Sequence, residues 1–280
     1  MAALLAAATG CGRQPAVPDP TGACGGSELA PVHRVVWIVM ENQSYGNVIG
    51  SRSAPYINRL AAACGLATRF SAEAHPSLPN YIAMTSGSTH GIADDAPPSA
   101  HPLAATSLFA QLGTRWRALN ESMPRPCDVN DAGLYAVRHN PATYYTPIRA
   151  TCAKQDLPLT AHSPLTAAFT FVTPNLCHDM HSCPVSDGDR WLSAWLPRLL
   201  RTSAYRSGST AVFITWDEDD GAARQHIPTL VVSRHTRPGT RSATRFGHYS
   251  LLRTTEELLG LPKLGAAARA ASMRRAFGLG

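Results

Sequence analysis

Four apolar runs, dense in β-branched and aromatic residues, punctuate the chain: VHRVVWIVM at 32–40, AAFTFVT at 167–173, TAVFITW at Thr210–Trp216 and IPTLVVS at 227–233. A run that is apolar at consecutive positions offers neither face to water. Each therefore reads as a strand buried on both sides, the habit of parallel sheets. Weaker strands are expected over 66–72 and Trp116–Asn120. Helical patterns fall between and after them, over Pro55–Ala63 (with Pro at its start), Ser77–Ser86, 106–112, 187–203, 250–259 and 266–277. Strands alternating with helices predict an α/β fold, a mostly parallel central sheet with helices on both faces. The 280 residues are enough for one large domain, read here as 31–280. Within it, 121–165 is irregular and rich in Pro, Tyr and Asn, the composition of a cap or a long active-site loop.

Residues 1–11 are Ala- and Leu-rich and end in Gly10-Cys11; a Pro/Gly-rich linker over 12–30 follows. This predicts an export signal, with Cys11 as a point of lipid attachment to a membrane, so a secreted or envelope-anchored protein. Seven cysteines are present. Setting Cys11 aside leaves an even set, which in an exported chain predicts disulfides. Proximity in sequence favours Cys177–Cys183 and Cys127–Cys152, leaving Cys24–Cys64. No closely spaced pair resembles a zinc knuckle. The formal net charge is +6, which favours anionic partners, but no basic helix or aromatic platform pattern points to nucleic acid.

Polar segments sit at the strand ends, where open α/β sheets bind ligands. Glu41-Asn42 follows the first strand and Asp217-Glu218-Asp219-Asp220 follows the third; both offer hard oxygen ligands for a divalent cation. Asp217 and Glu218, nearest the strand end, read as the ligands; Asp219 and Asp220 read as solvent-facing. Ser77 stands at an expected helix start, where its hydroxyl would cap the helix and meet an anion beside the first amides. Asn80, one turn on, could donate to a phosphate oxygen. His178, Asp179 and His181 lie between Cys177 and Cys183, and either histidine could serve as general acid or metal ligand. His75 and His248 are further substrate-binding candidates. Each feature alone has a plain structural explanation. A cation, an oxygen nucleophile and an anion-binding turn together point to phosphate ester hydrolysis.

MENQSY at 40–45, HPSLPNY at 75–81, TSGSTHG at 85–91, TPNLCHDMHSC at 173–183, TWDE at 215–218 and GHYSLLRTTEELLGLP at 247–262 occur in that order. In this the chain resembles the phosphoesterase family of secreted bacterial acid phosphatases and phospholipases C, within the alkaline phosphatase superfamily. The resemblance implies an alkaline-phosphatase-like fold, a covalent phospho-enzyme at Ser77, and metal ligation by Glu41, Asn42, Asp217 and Glu218, with Ser77 able to coordinate. The acidic pair is Asp-Glu where other superfamily members carry Asp-Asp or Asp-His, so the metal's identity is left open. The expected activity is an exported phosphomonoesterase acting on a phosphorylated small molecule or a phosphoinositide-like substrate. The alternatives are a phospholipase C-type phosphodiesterase and a non-catalytic, phosphate-ligand-binding lipoprotein. No Gly-x-Ser-x-Gly elbow supports a serine esterase.

Overall fold

The structure, a computed structural model, describes residues 19–222 and 224–280. The expected signal segment, with Cys11, lies outside the described residues. The strands in chain order are β1 (Arg34–Met40), β2 (Gly65–Ala67), β3 (Phe70–Ser71), β4 (Trp116–Asn120), β5 (Asp156–Pro158), β6 (Phe169–Thr173), β7 (Thr210–Trp216), β8 (His226–Ile227), β9 (Thr229–Ser233), β10 (Thr240–Ser242) and β11 (Phe246–Gly247). The helices are α1 (Tyr45–Val48), α2 (Pro55–Ala63), α3 (Ser77–Ser86), α4 (Leu108–Leu112), α5 (Arg149–Gln155), α6 (Val185–Leu200), α7 (Ser203–Arg206), α8 (His248–Leu259) and α9 (Arg274–Phe277).

Eight strands form one sheet in the order β10-β2-β9-β7-β1-β6-β4-β5. Its pairs are parallel except those that β9 makes with β7 and β2. Side chains alternate between the faces of a strand, yet every residue of β7 and all but the first of β1 are buried. Both faces are therefore covered, as the apolar runs require. Helices α3 and α8 pack on each other, and α8 also lies against β1; α2 packs on α6 and against β2 and β9. Each fully buried aliphatic or Phe side chain in these layers contributes about 1.5–3 kcal/mol. Trp37 of β1 ties the sheet to α8 by donating from its indole N–H to Thr255 Oγ1, 3.0 Å away. All ten residues of α3 are buried, so this helix runs through the core. It ends at Gly87 (φ 77°), where a side chain would collide with the Leu264 carbonyl.

Several expectations meet physical limits. The run 227–233 divides at Pro228, which cannot donate to a ladder: β8 joins β3 and β11 in a small three-stranded sheet, and β9 joins the large one. The weak strand expected over 66–72 is likewise split between the two sheets. No helix fills 266–277. Arg253 there takes the carbonyls of Ala268 and Ala270, and the Met273 amide goes to Thr254 Oγ1, so the ladder of a continuous helix is spent on tertiary bonds. The chain forms a 3-10 turn over Gly265–Ala268 and then α9. Residues 19–30, read as linker, lie on the domain: Cys24 is buried and bonded to Cys64. The other bridges are Cys127–Cys152 and Cys177–Cys183, as sequence proximity favours. Among the described residues no helix is long and apolar enough to cross a membrane.

Candidate active site

Three adjacent strands deliver the site. In the register of β1 with β7, Met40 stands opposite Trp216, so the next residues, Glu41 and Asp217, emerge side by side beyond the sheet. The Asp217 amide donates to the Met40 carbonyl at 2.9 Å, and the Asn42 amide to Asp217 Oδ1 at 3.1 Å. On the other flank of β1, the loop after β6 returns so that the Glu41 amide donates to the Asp179 carbonyl at 2.8 Å. Glu41, Asp179, Asp217 and Glu218 are all buried here.

Helix α3 points its first turn at these acids. Ser77 is the first helical residue, with Pro76 in the cap position, and its hydroxyl caps nothing. It faces Glu41 Oε2 at 3.1 Å and Glu218 Oε1 at 3.4 Å instead. One turn on, the Tyr81 hydroxyl donates to Glu41 Oε1. His139, buried in a 3-10 turn (Val137–His139), stacks on the Tyr81 ring with centroids 5.3 Å apart. Its Nε2 lies 3.4 Å from Glu41 Oε2 and its Nδ1 3.4 Å from Asp179 Oδ2. His75 Nδ1 lies 2.5 Å from Glu218 Oε2 and its Nε2 3.1 Å from Asp219 Oδ1, with 44% of the side chain exposed.

Burial governs the protonation of these groups. It raises Glu41 well above the usual carboxylate range, helped by the charges of Asp217 and Asp179, and raises Asp179 in the same way. Asp217 is pushed up to about 6 by burial, and Glu218 to about 9 by burial and then the Asp217 and Asp95 charges. His139 is held well below its ordinary value, by burial and then by Arg138. Asn42 Oδ1, Asp217 Oδ2 and Asp179 Oδ2 are buried with no hydrogen-bond partner. Four crowded carboxylates, with orphaned oxygens on Asp217 and Asp179, fit a hard divalent cation, which would relieve both the repulsion and the unmet lone pairs. Each of the two cysteine-containing clusters among the described residues holds a disulfide pair, which excludes a thiolate site there.

The other expected residues take different places. Asn80 is consumed locally: its Oδ1 accepts from the Glu73 and Ala74 amides, and its Nδ2 donates to the carbonyls of Ala74 and Pro76. It shapes the turn that aims Ser77 and has no spare donor. His248 is buried, with Nε2 donating to the Asp217 carbonyl at 2.7 Å, and burial lowers its pKa to about 4. It braces the Asp217 loop as a neutral ring. His178 is bonded to Glu121 at 2.9 Å and stacks on Trp191. His181 lies beside His139 and 3.3 Å from an Arg138 nitrogen. Asp219, expected in solvent, is buried and accepts from the Gly221 and Gln225 amides; Asp220 does face outward. Sequence reading missed His139, Tyr81, Asp95 and Arg138. Only Tyr81 carried a signal, four residues after Ser77 on the same helix face.

A buried serine thus stands at the head of a helix and faces strand-end acids on a mostly parallel sheet. Residues 51–262 match the family model described as the Phosphoesterase family, and the chain belongs to that family. It is 36% identical over 254 residues to a phosphatidylinositol-3-phosphatase of Mycobacterium tuberculosis, covering 87% of this chain and 82% of that protein. It is 28% identical over 256 residues to an acid phosphatase of Aspergillus fumigatus, covering 82% of this chain but only 55% of the fungal one. Among solved structures, an alkaline phosphatase superfamily protein from Vibrio parahaemolyticus superposes with a TM-score of 0.59 at 12% identity, over 86% of this chain and 70% of that one. A lipoteichoic acid synthase from Listeria monocytogenes gives 0.58 at 13% identity, over 91% and 78%. At such identities these two establish the fold.

Proposed function

We propose that the protein is an exported, divalent-cation-dependent phosphomonoesterase that works through a phosphoserine at Ser77. The observation that carries this reading is the Ser77 hydroxyl, buried and 3.1 Å from Glu41, in a cradle of carboxylates with unmet oxygens. Glu41, Asn42, Asp217 and Glu218 would hold the cation, with Ser77 in reach. What a divalent cation supplies in such a cradle is Lewis-acid stabilisation of phosphoryl charge and a bias toward the ionised serine. Ser77 attacks phosphorus in line with the leaving alcohol, and water later releases phosphate with net retention. His75 is the histidine best situated to hand a proton to the alcohol. Its ring touches Glu218, which touches Ser77, and 44% of its side chain is exposed, so the proton on Nε2, which lies against Asp219, can pass to an alcohol facing solvent. Asp179 braces Glu41 through the backbone and through His139.

The substrate class proposed is a phosphomonoester, phosphoinositides included. The phosphatidylinositol-3-phosphatase relative, matched over most of both chains, favours the lipid headgroup among these. The export reading is supported by three disulfides, which form and persist in oxidising compartments.

The test is metal analysis of the purified protein with turnover of p-nitrophenyl phosphate, phosphatidylinositol 3-phosphate and a phosphatidylcholine analogue, before and after chelation. Monoester turnover that chelation abolishes is expected. Faster turnover of the phosphatidylcholine analogue would favour the phospholipase C alternative. Ser77→Ala is expected to lose on the order of 10⁴-fold in kcat with the melting temperature kept; wild-type turnover in that variant would refute the nucleophile.

A further inference from the structure

The first turn of α3 is not open to an anion in the way a helix start usually is. Pro79 has no N–H to offer, and the Leu78 amide, next to the nucleophile, already donates to Asp95 Oδ1 at 2.9 Å. A carboxylate oxygen therefore occupies the backbone donor next in chain after Ser77, one that an oxygen of a phosphoryl group on Ser77 would otherwise meet. Asp95 is not buried for structural reasons: about a third of its side chain is exposed. Its charge reaches the acids of the site, because it is among the causes that raise Glu218. A fixed negative charge at that point opposes both the acid cluster and an incoming phosphate.

Arg138 accompanies it. The Arg138 Nε lies 3.7 Å from Asp95 Oδ2, too long for a tight bond, and its Nη2 lies 3.3 Å from His181 Nε2. Among the described residues these are its polar partners. The guanidinium precedes His139 in the chain, and its charge is felt at Asp179, His139 and His181. It is a permanent cation at the rim of a phosphate site, loosely parked on an internal anion, and planar forks of this kind suit phosphate.

Resting on the phosphatase reading, we propose that Asp95 is a displaceable stand-in for the substrate's phosphate, and that Arg138 is a phosphate-binding residue which passes from Asp95 to the phosphoryl oxygens when substrate enters. The Leu78 amide is released to the phosphate in the same exchange. No bond to phosphorus is made or broken in this step; one anion replaces another on the same two donors.

Inorganic phosphate, as a competitive inhibitor of p-nitrophenyl phosphate turnover, reads the exchange directly. Asp95→Ala is expected to lower its Ki about tenfold. Asp95→Asn keeps an acceptor for the Leu78 amide but drops the charge, and is expected to lower the Ki about threefold. Arg138→Gln is expected to raise the Ki about tenfold, in the wild type and in Asp95→Ala alike. A purely structural cap predicts the opposite pattern: Asp95→Ala loses melting temperature, Asp95→Asn restores it, and the Ki does not fall in either. That pattern, or an unchanged Ki in Arg138→Gln, overturns the proposal. If Asp95→Ala does not fold, Asp95→Asn alone decides. Failure of the phosphatase reading is seen separately, in the wild type, as no phosphomonoester turnover with any divalent ion.

Discussion

Replacing Asp217 with Asn reads out the electrostatic cost of the acid cluster. Asp217 ordinarily titrates near 3.8 and is pushed up to about 6 in the fold by burial. A carboxyl raised on folding behaves opposite to a salt-bridged one. The folded state holds the proton more tightly, so its stabilising effect is whole below 3.8 and is lost as pH rises through 6. At pH 5 the unfolded group is almost all ionised while the folded one is almost all protonated. The loss from this residue is then about 1.6 kcal/mol, growing to about 3 kcal/mol by pH 7–8. Glu41 and Glu218 are shifted the same way and deepen the trend. Asn is neutral at every pH and keeps an oxygen for the Asn42 amide. In chelator, thermal melts from pH 4 to pH 8 should show Asp217→Asn level with wild type at the acid end. The variant should draw ahead as pH rises through 4–6, with about half of the effect present at pH 5, and lead by roughly 5–10 °C at pH 8. A saturating divalent cation at pH 8 should raise the wild type more than the variant and close the gap. A difference that does not change with pH, or a variant less stable than wild type at pH 8 in chelator, would refute the account of Asp217 as a costly, cation-seeking acid.

Tyr81→Phe removes the hydroxyl that orients Glu41; kcat on p-nitrophenyl phosphate should fall about tenfold with little change in melting temperature, a loss of roughly 1.4 kcal/mol typical of a charge-assisted hydrogen bond. Replacing Cys127 and Cys152 with Ser opens a loop of sequence separation 25 and should cost about 3–4 kcal/mol in denaturant melts. Gly87→Ala should destabilise by at least about 1–2 kcal/mol in the same melts, because Gly87 sits at φ 77° and the added methyl meets the Leu264 carbonyl.

Sequence reading recovers elements where local chemistry decides and loses them where partners do. The bounds of α2, α3, β4 and β7 coincide with expectation. Proline at the start of α2, the left-handed glycine after α3 and the unbroken apolar runs act through the backbone of their own residues. The stretch 266–277 shows the reverse. Its Ala-rich composition favours helix, yet Arg253 and Thr254, well outside it, claim its carbonyls and an amide.

The same division runs through the site. Glu41 and Asp217 are legible because a strand end is a place in the sequence as well as in space; parallel register then forces the two together. Ser77 is legible as a helix start, though its hydroxyl serves the acids and not the helix. Arg138 and His139 belong to a single 3-10 turn in an irregular stretch with no periodicity, so nothing local marks them. What gives them meaning is the long connection between β4 and β6, which folds back over α3 and sets the turn against Tyr81, Glu41 and Asp179. The sheet thus supplies the acids from residues that any such strand order would juxtapose. The connection adds Arg138 and His139 around those acids and, beyond them, the exposed apolar side chains of Val129 and Leu134. Changes at Glu41 or Asp217 should therefore abolish turnover of every phosphate ester alike, and Arg138→Gln should weaken all of them, whereas changes at the exposed apolar residues of the connection, Val129 and Leu134, should alter the ranking of p-nitrophenyl phosphate against phosphatidylinositol 3-phosphate. A Leu134→Ser variant that scales both rates equally would break this separation of roles.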